Sequence, residues 1–132
     1  MEKIDSNQFV FNENLNAAFL GELFEGDSQY AETVFEDFLR DIPVYWERVE
    51  SAYKNRNLSL LKTCIHTCKT LFGYVGFTNL QEDCQLFEET CADKSDDDLQ
   101  ADFIVLSQKK DQARIVIEED FKRLKIFNET HT

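Results

Sequence analysis

The chain has 132 residues and a net charge of -12, with 42% hydrophobic residues, twelve Phe, four Gly and one Pro. That length suits a single domain with one core, and the scarcity of turn-forming residues favours helices. The acidic balance excludes general nucleic-acid binding, which needs a broad cationic surface, and no apolar run approaches the ~18 residues that span a bilayer.

Residues 1–14 read as an N-terminal extension whose apolar patch, Phe9, Val10 and Phe11, lacks helical spacing. The N-terminus also lacks the basic flank and apolar stretch of a secretion signal, so a cytoplasmic protein is expected. Asn14 is positioned to cap a short helix with Leu15, Ala18, Phe19 and Leu23 on one face, ended by Gly26. Asp27 or Ser28 caps a longer helix in which Phe35, Phe38, Leu39, Ile42, Trp46, Val49 and Tyr53 keep one phase. Pro43 interrupts that run. Because the phase is the same on both sides, a kink with one lost hydrogen bond is expected in place of a break, with two abutting helices as the alternative.

After an Asn55-Arg56-Asn57 turn, a third helix runs to Tyr74 or Val75, where Gly76 supplies a left-handed cap. Thr78 caps a fourth helix with the inward stripe Leu80, Cys84, Phe87 and Cys91, and the polar stretch from Asp93 to Asp98 closes it. A last, long helix carries Leu99, Phe103, Leu106, Ala113, Ile117, Phe121 and Leu124 at helical spacing; residues 128–132, including His131, are expected to form a disordered tail. Residues 15–127 therefore predict an all-α domain, an antiparallel up-and-down four-helix bundle with a short extra N-terminal helix across one end.

Cys64, Cys68, Cys84 and Cys91 form no CxxC pair, and Cys64 and Cys68 are one helical turn apart, too wide for an unstrained disulfide. They are expected to be reduced core thiols, with no metal and no cofactor. The opposing reading, a metal or redox site built on these cysteines, predicts bound zinc or iron in the purified protein.

From Ser51 to Gln81 the chain holds four basic residues, Lys54, Arg56, Lys62 and Lys69, and no acid, an island of +4 against -16 on the remaining residues. His66 lies inside it. At about 100° per residue the apolar positions of this helix, Leu61, Cys64, Ile65, Cys68, Leu71, Phe72 and Val75, gather in one arc, and His66 falls nearly opposite, facing water. Lys62, Lys69, Thr70 and Gly73 share its side of the helix. A neutral imidazole nitrogen is a good nucleophile toward an activated phosphoryl group, and a nearby ammonium stabilises the charge that such a group brings. Gly73 would leave the surface low enough for a partner's backbone to come close. The plain alternative is an ordinary surface histidine among solvating lysines. The phosphoryl reading requires a ring that stands clear of the interior and of any structural carboxylate. The island contains no phosphate-binding loop, acidic metal cluster or paired base, so other catalytic parts must come from elsewhere.

The run His66-Thr-Cys-Lys69-Thr-Leu-Phe-Gly73-Tyr-Val-Gly76-Phe, followed by Leu80, Cys84 and Phe87-Glu88, resembles the signature of the histidine-containing phosphotransfer (Hpt) domains of multistep two-component relays. The likeness extends to the Phe35-Glu-Asp-Phe38-Leu39 helix and covers residues 15–125 in helix order. The resemblance implies an exposed histidine that takes a phosphoryl group from the aspartate of one receiver domain and passes it to another, the receiver bringing Mg²⁺ and most catalytic groups. By position, His66 is the phosphorylated residue, Lys69 the basic residue one turn on, and Gly76 the glycine that ends the helix; Lys62, Thr70 and Gly73 are candidate docking residues. Thr70 departs from the glycine usual after the lysine, and Ile65 from the small residue usual before the histidine. The implied protein is a monomeric carrier without a kinase domain, whose partners are receiver domains of response regulators and hybrid sensor kinases. A module of the same shape that docks on receivers or kinases without transfer is the alternative, with Thr70 as its support.

Overall fold

The computed structural model describes residues 8–131, which form five α-helices and no strand: α1 Ala17–Phe24, α2 Ser28–Lys54, α3 Leu58–Tyr74, α4 Thr78–Thr90 and α5 Asp96–Thr130, with a 3₁₀ turn at Cys91–Asp93. Helix α2 packs against α3 and α5, and α4 packs against both α3 and α5. Their inner faces meet in one core that includes Phe35, Ile42, Leu61, Ile65, Phe72, Ile117 and Leu124. Each such side chain withdrawn from water contributes roughly 2 kcal/mol.

Local chemistry fixes most of the boundaries. Asp27, Asn57 and Ser95 cap α2, α3 and α5, each side-chain oxygen accepting the N–H three residues on. Asp96, Asp97 and Asp98 fill the first turn of α5, where carboxylates complement the positive end of the helix. Helix α2 runs unbroken through Pro43, so the alternative of two abutting helices does not hold. Pro43 sits on the exposed side, where water can satisfy the carbonyl its ring leaves without a donor.

Four expectations give way. Asn16, not Asn14, caps α1, accepting from the Phe19 amide at 3.0 Å, while the Asn14 amide donates to the Asn12 side chain. Leu15 is buried but precedes the helix, so it cannot set the helical phase. The inward residues are Leu20 and Phe24, whereas Ala18 and Phe19 are exposed. Thr78 does not cap α4: Phe77 occupies that position without a side-chain bond, and the Thr78 hydroxyl accepts from Asn16 Nδ2 at 3.2 Å, tying α1 to the start of α4. Residues 128–130 continue α5 and do not fray. Asn128 is buried, its Nδ2 donating to the Ser28 carbonyl at 3.1 Å and to Glu32 at 2.8 Å.

Part of the N-terminal extension is also ordered against the core. Phe9 and Phe11 pack edge to face at 5.0 Å, and Phe11 lies 5.7 Å from Phe35. The first seven residues of the extension and Thr132 lie outside the described residues.

Candidate functional site

Helix α3 buries Leu61, Ile65, Cys68 and Phe72 on one side, which turns His66 outward with its side chain 58% exposed. The helix ends in a two-bond cap in which Phe77 N–H donates to the Phe72 carbonyl at 3.0 Å and Gly76 N–H to the Gly73 carbonyl at 3.1 Å. Gly76 adopts φ +85° there, and a Cβ would come within 2.8 Å of Leu20, so both conformation and space call for glycine. The tight turn returns α4 alongside α3. Three cross-helix contacts, His66 with Glu88, Lys69 with Gln85 and Gly73 with Gln81, step up one helix as they step down the other, so this pair is antiparallel.

The ring stands clear of the interior but not of a carboxylate. Its Nδ1 lies 3.0 Å from Glu88 Oε1 and 3.3 Å from Oε2, a correction to the expectation of an unpaired histidine. The acid-free stretch ends at Gln81, and chain folding brings the acid from α4, seven residues beyond it. Nε2 has no hydrogen-bond partner among the described residues. A carboxylate at Nδ1 favours the tautomer with the proton on Nδ1 and the lone pair on Nε2.

Lys69 is 16% exposed and lies over toward α4, where its ammonium donates to Gln85 Oε1 and sits 3.4 Å from Glu88 Oε2. Gln85 in turn donates to Glu89 at 2.5 Å. Glu88 thus bridges His66 and Lys69, and α4 supplies all the groups that hold them.

Thr70 is exposed, and its hydroxyl donates to the His66 carbonyl at 3.3 Å, a bond within the helix. The space above Gly73 is taken up by the Gln81 side chain of α4, whose Nε2 a Cβ there would meet at 2.5 Å. Lys62 is half-buried and makes no ion pair among the described residues. The positive island shrinks in three dimensions, since Arg56 pairs with Asp96 at 2.6 Å and Lys69 with Glu88.

The sequence reading missed Glu88, Gln85 and Glu89. Glu88 stands within the quoted match, and reflecting His66 through the turn at Phe77 would have placed it opposite the ring. Cys68, Cys84 and Cys91 are buried and Cys64 is half-buried. Burial pushes the Cys68 and Cys84 thiols up to about 12, so they are neutral packing groups beneath the site. Among the described residues no three His, Cys, Asp or Glu side chains converge as a metal site, and no helix is long and apolar enough to cross a membrane.

No curated protein and no solved structure matches the chain. The sequence profile of the Hpt domain, however, matches residues 33–125, well over half of its length. The chain therefore belongs to the Hpt domain family, the histidine phosphotransfer carriers of two-component phosphorelays, which work with receiver domains and are not themselves kinases.

Proposed function

We propose that His66 accepts a phosphoryl group on Nε2 from the aspartyl phosphate of one receiver domain and passes it to the aspartate of another. The observation that carries this reading is an exposed imidazole held at Nδ1 by Glu88, with Nε2 left unpartnered. In the forward step the Nε2 lone pair forms the N–P bond as the P–O bond to the receiver aspartate breaks, and that carboxylate leaves with the electron pair. The ring, still carrying its Nδ1 proton, becomes positive, and the Glu88 carboxylate offsets that charge. Lys69 is the cation within reach of the transferred group, and the receiver brings the Mg²⁺ and the rest of the electrostatics. Reversal onto a second receiver follows the same path.

The finer architecture that suits this role is an antiparallel up-and-down bundle of α2 to α5 with α1 across one end. It is supported by the α3–α4 register and by the α2–α5 pairs Ser28 with Asn128 and Tyr53 with Phe103. Thr70 borders the ring as part of the docking surface and Lys62 fringes that surface as a steering charge, in a monomeric carrier acting in the cytoplasm on response regulators and hybrid sensor kinases. Gly73 serves that surface indirectly, by leaving room for the Gln81 side chain.

Incubation with a radiolabelled phosphoryl-receiver tests the reading. Label moves to the protein as an acid-labile, alkali-stable adduct, and His66→Gln abolishes it without loss of fold. Receiver binding without any transfer would instead identify a docking module, and transfer that survives His66→Gln would overturn the assignment of the residue.

A further inference from the structure

The ammonium expected to serve the phosphoryl group is already engaged. Lys69 bonds to Gln85 and contacts Glu88, and Gln85 is itself anchored by Glu89 one turn further along α4. With a side chain only 16% exposed, Lys69 is drawn across the groove toward α4. We propose that Gln85 is a positioning residue that holds Lys69 in a parked position and so sets how much of its charge reaches phosphorylated His66, limiting the lifetime of the adduct. The inference rests on the proposed phosphorylation of His66 and concerns the regulation of that same site.

The chemistry follows from what each partner requires. An ammonium has three donors, and those committed to Gln85 and Glu88 are not available to a group bound at Nε2. Phosphorylation places nearly two negative charges beside the Glu88 carboxylate, which strains the shared arrangement and rewards a lysine that swings over. Gln85 opposes that swing with a neutral acceptor, and Glu89 keeps the acceptor aimed by taking the amide N–H. Hydrolysis breaks the P–Nε2 bond as water oxygen bonds to phosphorus; the electron pair returns to Nε2 and inorganic phosphate leaves. A cation that neutralises the bound phosphoryl oxygens stabilises the adduct against that loss. A lysine shared with Gln85 does so less than a free one.

The test combines two readouts on the full chain. In the unphosphorylated protein, acylation of Lys69 by a small activated ester, followed by mass spectrometry, reports how tightly the ammonium is held. After loading from a radiolabelled receiver, decay of the histidine-bound label reports adduct lifetime. Gln85→Leu is expected to speed Lys69 acylation and to lengthen the half-life about threefold. Gln85→Glu, which binds the ammonium more strongly, is expected to slow acylation and shorten the half-life. In a Lys69→Ala background, which itself shortens the lifetime, Gln85→Leu should change nothing. Replacements at residue 85 that move the lifetime equally with and without Lys69, or that both move it in one direction, would show a merely structural role and overturn the inference while leaving His66 as the acceptor. Faster acylation with an unchanged lifetime would do the same. An absence of label on wild-type protein in the presence of that acylation response would overturn the phosphoryl reading itself, and this inference with it.

Discussion

Asp120 and Glu88 are both carboxylates that join separate segments of the chain, yet they sit in opposite circumstances. Asp120 is 1% exposed, accepting the Asn12 amide at 2.8 Å and Arg123 Nη1 at 2.5 Å. Arg123 also donates to the Val10 carbonyl at 2.7 Å and lies over the Phe9 ring, so the pair fastens the N-terminal segment to α5. Every donor there is permanent, a backbone amide or a guanidinium. Glu88 is partly exposed, and its partners are the side chains of an exposed histidine and a half-buried lysine, with no backbone amide or guanidinium among them. The first carboxylate stabilises a fold; the second, in the proposed function, serves a ring that reacts. A carboxylate beside a candidate nucleophile is thus not by itself a sign of a structural histidine, and the nature and exposure of the other groups it binds decide the matter.

Asp120→Ala breaks this contrast most forcefully. It leaves the Asn12 amide without its acceptor and Arg123 without its charge partner, and a loss of about 3 kcal/mol is expected, or roughly 10 °C in melting temperature. Below the new transition, phosphoryl acceptance should be unaffected. Calorimetry and the transfer assay check the two halves, and an unchanged melting temperature would reduce the clasp to an ordinary surface pair.

The interior of α3 and α4 gives a second way to sharpen it. Burial raises the Cys68 and Cys84 thiols from an ordinary value of 9.0 to about 12. The folded state therefore holds protons that the unfolded chain releases, so the stability these groups contribute is complete below about pH 9 and is lost as pH rises toward 12. A loss of about 1 kcal/mol per thiol between pH 8 and pH 10 is expected from urea unfolding. In native protein at pH 8, iodoacetamide should modify half-buried Cys64 well ahead of the other three. Equal modification of all four would mean that the layer under His66 is open to water.

Glu88→Ala attacks the other half of the comparison. Without the carboxylate, the ring loses the group that favours its Nδ1–H tautomer and that, in the proposed transfer, offsets the positive charge formed as Nε2 bonds to phosphorus. Transfer from a receiver should slow about tenfold with little change in melting temperature. Glu88→Gln, which can still accept from Nδ1–H but cannot balance the charge, should fall between. A large loss of stability with unaltered transfer would place Glu88 in the same class as Asp120.

How far this was legible in the sequence follows from what fixes each feature. The long helices were legible because apolar spacing and capping are local: Asp27, Gly76 and the Leu80, Cys84, Phe87 stripe appear where periodicity places them. Helix α1 was misphased because its burial is decided at a distance, by Leu20 over Gly76 and Phe24 against Phe11. The outward face of His66 was likewise local and legible. Glu88, Gln85 and the crowding of Gly73 by Gln81 were not, since they depend on how a neighbouring helix registers against α3. Asn128 was read as tail because a polar residue near a terminus usually faces water; its buried bonds to α2 come from a segment 100 residues away.

The smallest expected effect concerns what remains of the positive island. Arg56 is paired with Asp96 and Lys69 with Glu88, which leaves Lys62, among the described cations on the His66 side of α3, without an ion pair. A single unpaired charge at the rim does little for the stability of a complex, but it adds to the attraction that guides an acidic partner during approach, and that attraction is screened over about 10 Å at 0.1 M salt. Lys62→Ala should therefore slow association with a receiver about twofold at low ionic strength, with no effect on dissociation and none on either rate at high salt. Stopped-flow association across a salt series measures this. A salt-independent loss, or one seen in the dissociation rate, would make Lys62 a contact residue and restore to the island the role that its internal ion pairs take away.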